Sequence, residues 1–210
     1  MILVDGWYIT DDDAAIHANP IRHQMVKDIR VIDVALKYIV GRDCVIQAGA
    51  RIGLWPKTLA KHFRKVVAFE PETRNYDCAK ANLQDCDNVE LHKAAPGSSP
   101  CDSWLAFSDE KSGSHWLQQD KAAAGEACEI RMIDDLLAAP DAIFLDIEGF
   151  ELYALQGGRE TISNCKPVMV LEENSSRIRY GIGSGDLARW LKPFGYSVVD
   201  RVGKDLIFSV

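Results

Sequence analysis

Residues 45–71 read VIQAGARIGLWPKTLAKHFRKVVAFEP. Val45 and Ile46 close an apolar strand, and Gly49 and Gly53 bracket a tight turn. Leu59, Ala60 and Phe63 share one face of a helix. Val66 to Phe69 form a buried strand, with Glu70 at its carboxyl end. Strand, glycine loop, helix and strand place a backbone-lined cradle beside a carboxylate. That layout suits a ligand carrying a ribose.

The same alternation continues outward. A helix is expected over about Pro20 to Val40, stopped by Gly41, and a first strand over 44–48. The helix after Gly53 runs to about Arg64. Pro56 is tolerated in its first turn, where the missing amide has no intrahelical partner. A second strand covers 66–70, a helix Tyr76 to Leu83, and a third strand Glu90 to Ala94. Residues 96–129 are the least regular, and they hold Trp104, His115 and Trp116. Further on come a helix at Ile133–Leu137, a strand at Ala142–Leu145, and a helix at Leu152–Ile162 despite Gly157 and Gly158. A strand at Val168–Leu171 and a helix at Asp186–Leu191 follow. Tyr196–Val202 and Leu206–Val210 pair as a hairpin through Gly203-Lys204-Asp205.

Strands alternating with helices imply an α/β, doubly wound sheet, parallel through five strands and closed by an antiparallel hairpin. One domain spans 1–210, with an N-terminal extension and helix over 1–40 and a Rossmann-like core over 41–210. Ligands of such sheets bind beyond the carboxyl ends of the strands. Gly49, Glu70, Ala94, Asp146 and Glu173 fall on that rim.

Composition narrows the partners. Apolar residues make up 47% and charged residues 26%, as in an ordinary soluble domain. No apolar run spans a bilayer, and acids stand where a signal peptide has basic residues, so a cytoplasmic protein without membrane contact is expected. The net charge of −7 lacks the basic footprint of a nucleic-acid binder, and Lys57, Lys61, Arg64 and Lys65 read as a solvated face. The six cysteines form no CxxC pair and no zinc spacing, which fits free thiols in a reducing compartment. Oligomeric state is left open.

The spacing of Gly49 and Gly53 is GxxxG. The dinucleotide fingerprint GxGxxG is missing, which disfavours an NAD-dependent oxidoreductase. S-adenosylmethionine has no phosphate, yet its ribose diol still wants a carboxylate such as Glu70.

IQAGARIGLW with VVAFEPE, then FLDIEGFELYALQGGRETI with PVMVLEEN, resembles the FkbM family of S-adenosylmethionine-dependent methyltransferases. The likeness runs from about Val45 to Asn174 and implies a class I methyltransferase fold. It also implies, most often, O-methylation of sugar or natural-product hydroxyls. The acceptor is then a small molecule or a glycan. On this reading the donor lies against Gln47, Gly49, Ala50, Arg51, Gly53, Glu70, Pro71, Ala94 and Asp146. The family usually has an acid where this chain has Gln47, and commonly Asn where it has Arg51. Gln47 accepts a hydrogen bond without charge, and Arg51 is able to fork a methionine carboxylate.

Asp146 is the first candidate for the substrate side, and His115 is a second candidate base. Glu151 reads as the start of a helix, and Gly149 as the residue that permits a sharp bend. Asp146, Glu173 and Asn174 are oxygen donors of the kind that suits Mg²⁺. Trp104 and Trp116 either stack on a sugar or base or anchor their loop. Two alternatives stay open: methylation of nucleic acid, and a non-catalytic interaction protein on the same fold.

Overall fold

The computed structural model describes residues 1–11, 21–107, 115–118 and 125–210. Its centre is a seven-stranded sheet made of β3 (Cys44–Ala48), β4 (Lys65–Phe69), β5 (Val89–His92), β10 (Ala142–Leu145), β11 (Val168–Glu172), β12 (Ser197–Val202) and β13 (Asp205–Ser209). The strand order is β12-β13-β11-β10-β3-β4-β5. The first five strands run parallel, and β13 is antiparallel to both of its neighbours. The fold is the Rossmann-like sheet expected, with β13 as the single reversed strand.

Residue alternation sorts the core into two layers. Val45, Val66, Ala68, Phe144, Val170 and Ile207 face one helical layer. Val31, Ile32 and Ala35 of α1 (Ile21–Ala35) cover them, with Leu59 of α2 (Leu54–Leu59) and Phe63. Ile46, Val67, Phe69, Ile143, Leu145, Met169, Leu171 and Phe208 face the other. There they meet α4 (Glu151–Gln156), α5 (Arg159–Cys165) and α6 (Asp186–Leu191). The strands are buried on both sides, as a parallel sheet requires.

Several elements differ from expectation. Helix α1 ends at Ala35, before Gly41, and the Arg42 guanidinium caps it by donating to the carbonyls of Leu36, Ile39 and Gly41. The expected helix over 152–162 is two helices broken at Gly157-Gly158. A Cβ on Gly157 would stand 1.8 Å from the Gly97 carbonyl oxygen, so the chain turns where the backbone at Gly97 passes. Residues 133–136 form only a short 3₁₀ turn, stopped by Leu137 at φ 48°.

The described residues within 96–129 hold more regular structure than their sequence suggests. β6 (Ala95–Pro96), β7 (Cys101–Phe107), β8 (His115–Gln118) and β9 (Gly125–Arg131) form a second sheet in the order β6-β9-β7-β8. Ala95, Leu105, Leu117, Cys128 and Ile130 make its small core, closed by Phe150.

The N-terminus adds a hairpin, β1 (Ile2–Val4) and β2 (Trp7–Ile9), turned through Asp5 (φ 49°) and Gly6 (φ 82°). Two positive φ values in a two-residue turn match the twist of a hairpin. It docks on α3 (Thr73–Asn82), where Asn82 exchanges two 2.8 Å hydrogen bonds with the Tyr8 backbone.

Candidate active site

The loop after β3 is folded back onto the end of β4. Gly49 and Ala50 both donate to the Phe69 carbonyl, at 3.1 and 3.0 Å. Arg51 adopts φ 49°, and its N–H donates to Glu70 Oε2 at 2.6 Å. Gly53 donates to the Ala50 carbonyl at 2.7 Å. The amides of residues 49, 50, 51 and 53 are thus spent within the chain. A phosphate cradle needs such amides free, so the loop suits a phosphate-free ligand. Gly49 is required for packing as well: a Cβ there would lie 1.9 Å from the Asp146 carbonyl oxygen. Gly53 faces Leu83 and Ala79 of the α3 region.

Glu70 is 5% exposed. Its carboxylate accepts from Arg51 N and, at 3.1 Å, from Glu72 N. Burial pushes its pKa up to about 8 against the pull of these two donors. Pro71 leads into α3, whose first turn is capped by Glu72 accepting from Asn75 N at 2.5 Å. Ala94 is buried after β5, between that strand and the second sheet.

Arg51 does not extend over the rim as a free fork. Its guanidinium donates to Gln24 Oε1 on α1 at 2.9 Å. Gln47 is fully buried, and its Nε2 donates to the Ala48 carbonyl at 3.0 Å. Its Oε1 has no hydrogen-bond partner.

On the other side of the loop, Asp146 follows β10 and its N–H donates to the same Ala48 carbonyl at 3.1 Å. The pKa of its carboxyl is raised well above the ordinary range, first by burial and then by the Glu172 charge. Glu172 lies directly across from Asp205 in the β11–β13 ladder. Burial and Glu172 also lift Asp205, to about 6. Glu148, lifted by burial and Glu172, accepts from Ser176 Oγ at 3.1 Å. Glu151 opens α4 as expected. Its Oε1 accepts from Ile147 N at 3.0 Å and Gly149 N at 3.3 Å, and burial raises it to about 7. Gly149, at φ 98°, passes so close to Arg177 that a Cβ would come within 2.4 Å of its nitrogen.

The expected Mg²⁺ set is not brought together. Glu173 turns to Gly185 N at 3.0 Å and to Arg201 at 3.6 Å. Asn174 caps a 3₁₀ turn through Ser176 N at 2.8 Å and donates to Glu172. Among the described residues no three His, Cys, Asp or Glu side chains are placed to hold a metal. Strand β11 extends one residue beyond the expected Leu171. Glu172 therefore stays in register beside Asp146, while Glu173 lies past the ladder. Glu172 and Asp205 are the acids that reading by sequence missed. The signal was the period of two along 168–172.

His115 begins β8, the outer strand of the second sheet, while Asp146 ends a strand of the main one. The face of Trp116 is covered by the Arg179 guanidinium at 4.4 Å, so this tryptophan anchors its strand. The Tyr180 hydroxyl accepts from Leu117 N at 3.0 Å, and its ring meets those of Phe150 and Tyr153. Glu126 of β9 accepts from Thr73 N at 2.6 Å. The second sheet is thus tied to both flanks of the rim. Three of the four basic residues near α2 are paired: Lys57 with Asp85, Arg64 with Asp43 and Lys65 with Glu90.

A phosphate-free loop, a buried acid at the end of the second strand and the strand order all describe one known arrangement. The family model for the methyltransferase FkbM domain matches residues 47–198. The chain belongs to the FkbM methyltransferase family. It is similar in structure to an FkbM methyltransferase from Methylobacillus flagellatus, with a TM-score of 0.55 and 18% identity; the match covers 94% of this chain and 60% of that one. A precorrin 8W decarboxylase from Methanobacterium thermoautotrophicum matches over 100% of both chains, with a TM-score of 0.56 and 15% identity. A SAM-dependent methyltransferase from Aquifex aeolicus matches over 95% of this chain and 97% of its own, with a TM-score of 0.53 and 16% identity. No curated protein matches. The FkbM domain makes S-adenosylmethionine the cofactor of the family, on the class I methyltransferase fold. The chemistry of the residues is compatible with that donor: Glu70 offers a buried carboxylate at the end of β4, and the buried Gln47 oxygen has no hydrogen-bond partner. Among the described residues no helix is long and apolar enough to cross a membrane.

Proposed function

We propose that this chain methylates a hydroxyl of a sugar, glycan or other small metabolite. The observation that carries this reading is Asp146. It sits at the end of β10, against the donor loop, with its carboxyl inside a row of acids. S-adenosylmethionine, when bound, supplies an electrophilic methyl on a sulfonium. The chain's part is positional: Gly49, Ala50 and Gly53 shape the loop, Glu70 and Pro71 border the ribose, and Ala94 borders the adenine side. Holding oxygen, carbon and sulfur in line is where most of the rate comes from.

A hydroxyl must also lose its proton, and Asp146 is the base we assign. A general base contributes about 100- to 10,000-fold. The neutralised basic residues and the net charge of −7 favour an uncharged acceptor over nucleic acid.

The test is formation of S-adenosylhomocysteine from S-adenosylmethionine with a panel of monosaccharides, oligosaccharides and phenolic or macrolide alcohols. Turnover with a hydroxyl compound, reduced about 100-fold or more in Asp146→Asn and little changed in His115→Ala, is the expected result. Turnover only with RNA, or none with any hydroxyl compound by a protein that binds the donor, would refute it.

A further inference from the structure

Gln47, Asp146, Glu172 and Asp205 stand on one face of the main sheet. Alternation settles this: Val45, Phe144, Val170 and Ile207, two residues earlier or later on their strands, all pack in the layer under α1. Asp146 and Glu172 follow a paired Leu145 and Leu171 on adjacent parallel strands. Glu172 pairs in turn with Asp205.

Two features of this row call for a ligand. The first is the Gln47 Oε1 atom, fully buried and without a partner. An unmade hydrogen bond of that kind is costly unless a donor arrives. The Gln47 amide donates to the Ala48 carbonyl that also receives the Asp146 N–H, so the Gln47 side chain reaches the Asp146 end of the strand. The second is the placement of Asp146 and Glu172 one residue past the paired Leu145 and Leu171 on adjacent parallel strands, where burial and the Glu172 charge hold the Asp146 pKa well above its ordinary range. Two neighbouring carboxyl groups do not readily ionise together. Gln47, Asp146 and Glu172 together offer acceptors and negative charge, the complement of a group with several N–H donors and a positive charge.

We propose that Asp146 and Glu172 are the counter-charge for the donor's ammonium group, and that Asp146, which holds a proton in the free protein, releases it when the ammonium enters beside Gln47. This rests on the S-adenosylmethionine reading of the site. The proton passes to solvent, and no bond to the donor is made or broken. The surroundings set the balance. Glu148, Glu151 and Asp205 oppose a second charge on the pair. Lys204 lies 3.6 Å from Glu172, and Asn174 donates to it. From α1, Lys27 and Asp28 act on neighbouring Asp205 with opposite signs. After release Asp146 is ionised, so it acts as a base only once the donor is bound.

Calorimetry on the full chain at pH 7, in two buffers of different ionisation enthalpy, tests this without knowledge of the acceptor. The probes are S-adenosylmethionine and 5′-methylthioadenosine, which keeps the nucleoside and lacks the ammonium. Glu70 meets the ribose of both, so its own proton cancels in the comparison. The expected result is about one more proton released with S-adenosylmethionine than with 5′-methylthioadenosine. In Glu172→Gln that difference vanishes, and S-adenosylmethionine binds about 10- to 100-fold more weakly while 5′-methylthioadenosine is unaffected. Equal proton release for the two probes in the wild type overturns the inference, whatever the variant does. Wild-type S-adenosylmethionine affinity in Glu172→Gln also overturns it. Failure of the wild type to bind either probe instead overturns the donor reading on which it rests.

Discussion

Glu70 shows how one residue carries both structure and binding. Its carboxylate closes the loop after β3 by accepting Arg51 N at 2.6 Å, and it is also the acid available to a ribose. Glu70→Ala is expected to weaken S-adenosylmethionine binding by about 1.5–3 kcal/mol, the worth of hydrogen bonds to a charged group. Calorimetry on the folded variant measures it, and wild-type affinity would remove Glu70 from the ribose site. Gly49→Ala is a harsher change. It forces a side chain into φ 85° and against the Asp146 carbonyl. Together these are expected to cost about 2–4 kcal/mol of stability in denaturant unfolding. Glu70 and Gly49 were legible because an acid after a buried strand and a glycine after another are local signals. Glu172 was not, because a one-residue error in where a strand ends moves the next acid to the wrong side.

Elements were legible in proportion to how local their reasons are. The strands at 44–48 and 142–145 and the helix at 186–191 follow from short apolar runs with clear stops. The break at Gly157-Gly158 does not, since it answers to Gly97, a residue sixty positions away in the chain. The second sheet was hidden because only alternate residues of β9, such as Cys128 and Ile130, are buried, with Glu129 between them exposed. The N-terminal hairpin is held by packing of Ile9 with Ile52, Leu54 and Cys78 and by one polar side chain. Asn82 bonds both polar groups of Tyr8 and also donates to the Ile52 carbonyl at 2.8 Å. Asn82→Ala leaves those groups unpaired and is expected to cost about 2–4 kcal/mol. Hydrogen exchange should show the amide of Tyr8 losing protection first, while β3 and β10 keep theirs. Uniform loss across the sheet would contradict this account of the docking.

At the scale of the whole molecule, the buried acids make the ligand-free protein sensitive to pH. Burial raises Glu70 to about 8, Glu151 to about 7 and Asp205 to about 6, against ordinary values near 4 in the unfolded chain. Between those limits the folded state holds more protons than the unfolded state, so stability falls as pH rises. His92 is shifted down by burial and acts in the opposite sense below its ordinary value of 6.5. The clean window is therefore pH 6.5 to 8, over which the melting temperature is expected to drop. A rise across that window would show that these acids are already ionised in the fold. Saturating S-adenosylmethionine should flatten the slope, because bound donor groups replace the protons.

The central claim is that the rim from Gln47 to Glu172 is an S-adenosylmethionine site, with its ribose end at Glu70 and its ammonium end at Gln47. A crystal structure of the complex tests it most directly. The account predicts ribose hydroxyls bonded to the Glu70 carboxylate, the ammonium against Gln47 Oε1, and the methyl group facing Asp146. A donor bound elsewhere, or one whose ribose makes no contact with Glu70, would contradict it.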